Sequence, residues 1–121
     1  MRIAMIRILA GVLAAVVVAA CGARNPPQIT VVNNSTSAVT DIILRGNGFS
    51  QIIEKIEPNS SKTVTVVPKG ESSVSMEAVT PLKYVTAKDV GYIDRDGGYK
   101  VQITITKDGN IETSVHLDLA P

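Results

Sequence analysis

The sequence predicts an all-β domain, an antiparallel β-sandwich of about seven strands of the immunoglobulin-like or transthyretin-like type. Two features predict it. From Ile29 onward apolar and polar residues alternate, and turn-forming residues interrupt the alternation every ~8 to 12 residues, as in short strands of two packed sheets. Apolar residues at helical spacing continue for no more than two turns anywhere after Ile29, so any helix is one short piece.

The first four predicted strands are each ended by residues that favour turns. In chain order the strands and the residues that end them are Ile29 to Val31 with Asn33-Asn34-Ser35, Val39 to Leu44 with Arg45-Gly46-Asn47-Gly48, Ile52 to Ile56 with Glu57-Pro58-Asn59-Ser60, and Lys62 to Val67 with Pro68-Lys69-Gly70. The third is ambiguous. Gln51 to Ile56 also fits a turn of helix, because Ile52, Ile53 and Ile56 would share one side of it.

The second half of the domain contains the clearest strand pattern. The fifth strand has Val74, Met76 and Ala78 on one face, and the sixth is Tyr84 to Ala87 and can include Val90 to Ile93. The last two strands, Val101 to Thr106 and Ile111 to Leu117, both alternate strictly and flank Asp108-Gly109. This dipeptide is typical of a hairpin turn, so we expect a half-buried hairpin here.

The residues before the domain form a leader. Arg2 and Arg7 give it a positive start, Ile8 to Val18 is a continuous apolar run, and the small residues Ala19-Ala20 precede Cys21, the only cysteine of the chain. This arrangement resembles the signal peptide of bacterial lipoproteins, although Val18 stands where leucine is commoner. The lipobox of that family ends in a cysteine that is diacylated on sulfur and becomes the first residue of the mature protein.

The resemblance implies a location and an anchor. Residues 1–20 would be cleaved, Cys21 would hold the protein to a membrane through fatty acids, and the domain would face the periplasm or the cell exterior. Gly22 after the cysteine resembles the pattern that sends lipoproteins of diderm bacteria to the outer membrane. Two or three acyl chains anchor a protein essentially permanently, since each buried methylene contributes about 0.8 kcal/mol.

Two other interpretations of the leader fit less well. A transmembrane helix needs about 20 apolar residues, whereas the charge-free run from Ile8 to Ala23 has 16 and includes Gly11 and Gly22. An ordinary secretory signal would leave Cys21 as an unpaired thiol in an oxidising compartment. We therefore expect a lipid anchor.

The mature chain is predicted to consist of a short tether, residues 21–28 with Pro26-Pro27, and one domain, residues 29–121. Removal of Arg2 and Arg7 leaves 10 basic residues of 12 against 11 acidic ones. The basic residues are scattered and form no run that would neutralise a row of phosphates. This charge distribution argues against a nucleic-acid partner.

Residues that could carry chemistry are few. His116, the only histidine, is predicted to face solvent with Glu112, Ser114 and Asp118, and without a second histidine or a free cysteine no catalytic triad can be assembled. Asp89, Asp94 and Asp96 with Gly97-Gly98 are candidates for a calcium loop, but the spacing of an EF-hand is missing, and a turn explains them more simply. We expect no enzyme, no cofactor and no metal centre.

The sequence therefore favours a membrane-anchored binding or accessory module of a bacterial envelope assembly, with an envelope protein as partner. Phe49, predicted to lie in a loop, is a candidate partner-binding residue, and the alternative is that it folds back over the core. Two other functions stay open. One is a periplasmic inhibitor or exclusion lipoprotein that acts through the loop of Phe49 or of Asp89 to Gly98, and the other is a receptor for a small ligand or metal, which needs a pocket.

Overall fold

The computed structural model describes residues 25–117, and these residues form eight β-strands and no helix. No described segment could therefore cross a bilayer as a helix. The strands are β1 (Gln28–Asn33), β2 (Val39–Gly46), β3 (Phe49–Ile56), β4 (Ser60–Thr65), β5 (Ser72–Val79), β6 (Tyr84–Ile93), β7 (Tyr99–Ile105) and β8 (Ile111–Leu117).

The strands form two four-stranded sheets, which confirms the predicted sandwich-like arrangement. The first sheet has the order β4-β1-β7-β8 and the second has the order β3-β2-β5-β6. The prediction that all strands are antiparallel is wrong at one place, since β1 and β7 pair in parallel, with Val31 beside Ile103. This pairing joins two strands that are far apart in sequence, and local alternation carries no information about it.

The core lies between the sheets and is built from residues of six of the eight strands. The first sheet contributes Ile29, Val31, Val101, Ile103 and Ile105, and the second contributes Val39, Ile42, Leu44, Ile53, Ile56, Val74, Met76, Ala78 and Ile93. All of these side chains are almost completely shielded from water. Burial of each aliphatic side chain contributes about 1.5–3 kcal/mol, so the core is the main source of stability.

The ambiguous segment is a strand and not a helix. Ile42 pairs with Ile53 and Ile43 with Ile52 across β2 and β3. Ile53 is buried whereas Ile52 is 67% exposed, because neighbouring strand residues face opposite sides of a sheet. The three isoleucines thus do not share one face, as a helix would require.

Two predicted boundaries differ from the structure. β4 lies two residues earlier than predicted, since its ladder with β1 runs from Ser60 to Thr65, and Val66 then leaves the sheet and packs into the core. β6 is one continuous strand from Tyr84 to Ile93. Its pairing with β5 shifts register, and within it Asp89 has a φ of 55°, so a bulge explains the break in the sequence pattern.

The connections lie at two opposite ends of the sandwich. We call the end that contains residues 25–27, 47–48, 66–71 and 94–98 the proximal end, and the end that contains residues 34–38, 57–59, 80–83 and 106–110 the distal end. Along β1, successive residues rise by about 3.3 Å, so the two ends are separated by roughly 20 Å.

The domain begins earlier than the predicted tether allows. The carbonyl of Asn25 accepts a hydrogen bond from the amide of Gly98 at 3.0 Å, and the carbonyl of Pro27 accepts one from the amide of Val66 at 3.1 Å. Pro27 is buried, and Gln28 already belongs to β1. Residues 25–28 are therefore held at the proximal end of the domain.

Candidate partner-binding surface at the distal end

A groove lies at the distal end, between the β1–β2, β5–β6 and β7–β8 connections. It encloses about 150 Å³. Its walls combine aliphatic and hydroxyl-bearing side chains with one ammonium group, and the residues that line it are Ser35, Thr36, Ser37, Thr80, Pro81, Leu82, Ile105, Thr106, Lys107 and Gly109. Each wall comes from a different connection, so the groove exists only when the sheets are packed.

The β1–β2 wall is held by the side chain of Asn33, which is completely buried. Its Nδ2 donates hydrogen bonds to the carbonyls of Ser37 at 2.8 Å, Ile56 at 3.0 Å and Glu57 at 3.2 Å. Its Oδ1 accepts from the amide of Ser35 at 3.0 Å and from the hydroxyl of Ser35 at 2.6 Å. One amide side chain thus ties β1 of the first sheet to the end of β3 in the second and orders the loop between β1 and β2.

The β5–β6 wall is a tight turn organised by Thr80. Its Oγ1 donates to the carbonyl of Lys83 at 2.9 Å and accepts from the amides of Leu82 at 3.3 Å and Lys83 at 3.1 Å. The amide of Thr80 also donates to the carbonyl of Lys83 at 2.9 Å. These bonds hold Leu82 at the tip of the turn, where its side chain is 79% exposed.

The third wall is the β7–β8 hairpin turn that the sequence predicts from Asp108-Gly109. Gly109 has a φ of 79°, in the region that favours glycine, and its amide donates to the carbonyl of Thr106 at 3.0 Å. The Lys83 side chain crosses this turn, since its Cε lies 2.9 Å from the point where a Cβ on Gly109 would stand. Lys107 therefore lines the groove, and Lys83 lies across the same turn, in a neighbouring depression.

Lys107 at the groove and Lys83 across the turn give this end of the domain a positive charge. Within residues 25–117 the ion pairs are Arg45 with Glu77 and Lys55 with Glu57, and neither involves Lys83 or Lys107. Asp108 lies on the same turn, is exposed, and does not line the groove. A ligand with a carboxylate beside the groove would thus meet two ammonium groups that form no ion pair in the described part of the chain.

A second polar cluster lies on the outer face of the β3-β2-β5-β6 sheet. Glu77 of β5 accepts hydrogen bonds from the Tyr84 hydroxyl and from the Arg45 guanidinium. The bond from Tyr84 holds the pKa of Glu77 below its usual range, and the same bond raises the pKa of Tyr84. All three side chains are occupied with one another, so the cluster stabilises the sheet face and offers a ligand little.

Several predicted site residues lie apart from the groove or outside the described residues. Cys21 and Asp118 lie outside residues 25–117. His116 is exposed on β8, opposite Lys100 of β7. Val115 is 41% exposed on this edge strand, whereas Ile111, the first residue of β8, packs against the core. From Ile111 to His116 the second strand of the predicted hairpin is thus less buried than its alternation suggests.

The three candidate calcium ligands do not come together. Asp89 lies inside β6, about 16 Å along an extended chain from Asp94, which follows that strand. The Oδ1 of Asp94 accepts a hydrogen bond from the amide of Arg95 at 2.7 Å, and Asp96 is exposed. Among residues 25–117, no three acidic or histidine side chains are arranged to hold a metal ion. The Asp94 carboxylate therefore stabilises a turn, and the backbone of Asp89 forms a bulge.

The predicted loop position of Phe49 is wrong, because Phe49 is the first residue of β3. Its ring is partly buried and packs against the core. A Cβ on Gly46 would lie 2.2 Å from Cε2 of this ring, so the ring occupies the space that the glycine leaves. This position matches the alternative in which the phenylalanine folds back over the core, and it lies at the proximal end, away from the groove.

Comparison with known proteins adds information about the fold. A protein from Eubacterium rectale, solved by NMR, has a similar structure with a TM-score of 0.56, and the match covers 81% of this chain and 95% of the other. The two sequences are 15% identical, so the likeness concerns the fold alone. No family model and no curated protein matches the sequence.

Proposed function

We propose that this protein is a lipid-anchored module of a bacterial envelope, which binds a partner protein through its distal end and performs no catalysis. The observation that supports the proposal is that the entering chain and the groove lie at opposite ends of the domain. The described chain enters at the proximal end, where Asn25 and Pro27 are hydrogen-bonded to the domain, and the groove lies at the opposite end.

The lipobox-like sequence implies that the proximal end is the one held near the membrane. Four residue steps separate Cys21 from Asn25, and at ~3.6 Å per step they reach at most about 14 Å. With fatty acids on Cys21, the proximal end would stay within that distance of the bilayer surface. In an upright domain the groove would then lie a further ~20 Å from the membrane, where a partner can approach it.

We propose further that the sandwich is of the transthyretin-like type and not of the immunoglobulin-like type. In an immunoglobulin domain the first two strands are neighbours in one sheet. Here β1 and β2 lie in different sheets, and β1 has β4 and β7 as its neighbours. This strand order supports the transthyretin-like alternative.

The positions of the loops disfavour an inhibitor, and the size or openness of the described pockets disfavours a receptor for a small molecule. An inhibitor that acted through Phe49 or the loop after β6 would use the proximal end, which faces the membrane under this proposal. A receptor for a small molecule needs a pocket of about 300–1,000 Å³. The distal groove, at about 150 Å³, is the size of a single side chain of a partner, and two larger depressions, of about 350 Å³ beside Ser60 and about 310 Å³ beside Tyr84, are more open to solvent than the groove.

Two measurements on the full chain test the proposal. Mass spectrometry of the intact protein from the expressing bacterium should show a mature chain that begins at Cys21 and carries fatty acids, and fractionation should place it in the membrane. A Cys21→Ser variant should keep its fold and lose both properties. Recovery of an unmodified thiol at Cys21, or of wild-type protein in the medium, would overturn the proposal.

A further inference from the structure

We propose that the distal groove binds a segment of a partner protein in which an aliphatic side chain lies next to a carboxylate. This inference rests on the proposed function, since it specifies what kind of partner the distal end takes. It is argued from the size of the groove, the exposure of its rim and the charges beside it.

The size and lining of the groove suit one aliphatic side chain. Cavities of about 150 Å³ hold groups the size of benzene, and Pro81 and Leu82 supply apolar wall above the buried Ile105. Leu82 is 79% exposed in a turn that Thr80 Oγ1 fixes by donating one hydrogen bond and accepting two. A large apolar residue held rigidly in water at the rim of a cavity gains stability when a partner covers it.

The charges beside the groove favour an acidic residue next to the aliphatic residue of the ligand. Lys107 lines the groove and Lys83 crosses the adjacent turn, and neither forms an ion pair in the described part of the chain. Asp108 on the same turn offsets one of these two charges. A net positive rim attracts a carboxylate and repels a basic segment, which gives specificity more than affinity.

The hydrogen bonds of the walls favour a peptide as the ligand. Thr36 and Ser37 line the groove, and their hydroxyls form no side-chain hydrogen bond in the described residues, so they can pair with peptide N–H or C=O groups. The other hydroxyls already hold the loops, as those of Ser35 and Thr80 do. The walls are thus ordered before the ligand arrives, which lowers the entropic cost of binding.

A second copy of this chain is an alternative occupant of the groove. Asp118 and Leu119 are adjacent in the sequence and have the proposed chemistry. The experiment therefore has to distinguish a second copy from a separate partner.

The test uses the isotope-labelled full chain in detergent and three blocked tetrapeptides, followed by amide chemical shifts. The first probe is glycine-leucine-glutamate-glycine, the second replaces leucine by alanine, and the third replaces glutamate by glutamine. We expect the first to shift the amides of the three distal connections with a dissociation constant on the order of 1 mM. The alanine peptide should bind about tenfold more weakly, and the glutamine peptide about threefold more weakly in low salt and equally well in ~1 M salt.

Matched variants locate the site. Leu82→Ser and Lys107→Gln should weaken the first peptide, whereas Ile52→Ser, on an outer sheet face, and Lys69→Gln, at the proximal end, should not. Equal binding of the three peptides, or shifts at the proximal end, would overturn the proposal. Distal shifts that grow with protein concentration without peptide, and vanish when residues 118–121 are deleted, would instead assign the groove to a second copy. Acylation of Cys21 plays no part in this assay, so its outcome is independent of the anchor.

Discussion

Replacement of Asn33 by alanine removes the one side chain that connects the end of β1 to both the β1–β2 loop and the end of β3. The variant removes the Asn33 hydrogen bond from the buried carbonyl of Ile56, at a cost of about 1–3 kcal/mol. The partly buried groups of Ser35, Ser37 and Glu57 lose their partners too, but water can replace these at a smaller cost. We expect a total loss of about 3 kcal/mol in the free energy of unfolding.

This loss is large for a domain of this size, whose total stability is on the order of 5–14 kcal/mol. Urea denaturation followed by circular dichroism should show a midpoint about 2–3 M lower with an unchanged slope, and the melting temperature should fall by about 12–24 °C. Asn34→Ala is the matched control. Its side chain is exposed, and its backbone amide, which donates to Ile105 at 2.9 Å, is untouched.

The control should stay within about 0.5 kcal/mol of the wild type. A loss below about 1 kcal/mol for Asn33→Ala, or equal losses for the two variants, would refute the conclusion that Asn33 holds the distal loops in place. Because the same loops form the groove, Asn33→Ala should also weaken the leucine-glutamate peptide at temperatures where the variant is still folded.

Three further predictions concern the rest of the domain. Gly46→Ala should destabilise the domain by about 2 kcal/mol, because its Cβ would overlap the Phe49 ring; Phe49→Leu in the same chain should restore part of the loss in a denaturation assay, and no restoration would contradict this packing. Glu77→Gln should lower the pKa of Tyr84, which can be followed by the resonances of its ring. The wild type should lose stability as the pH falls through the lowered pKa of Glu77, and the variant should not show this loss. An unchanged titration of Tyr84 would show that the hydrogen bond between the two side chains is absent in solution. Gly109→Ala should cost about 1 kcal/mol in thermal unfolding, because φ is 79° there; a neutral effect would argue against this turn.

Much of the fold follows from local pattern. The ranges predicted for the second, fifth and last strands lie within or match β2, β5 and β8. β2 and β5 alternate because each has one buried and one exposed face, whereas the range of β8 follows from its alternating sequence alone. The turn at Asp108-Gly109 follows from the chemistry of its two residues. These signals depend only on neighbours in sequence, so one chain is enough to detect them.

The features that the sequence misses depend on contacts between distant residues. One such feature is the parallel pairing of β1 with β7, and another is the bulge at Asp89 within β6. Asn33-Asn34-Ser35 is typical of a turn, which is correct locally, but nothing nearby indicates that Asn33 is buried against Ile56 and Glu57. The groove depends on three connections that meet only in the folded domain, so sequence analysis favoured Phe49 and not Leu82.

The most direct test of a membrane-anchored module that binds through its distal end is photocrosslinking in intact cells. A photoreactive amino acid is placed at Leu82 in one full chain and at Lys69, at the proximal end, in another. The proposal predicts a crosslinked partner protein from Leu82, none from Lys69, and loss of the Leu82 product in the Cys21→Ser variant. A product from Lys69 but not from Leu82, or a Leu82 product that persists without Cys21, would contradict it.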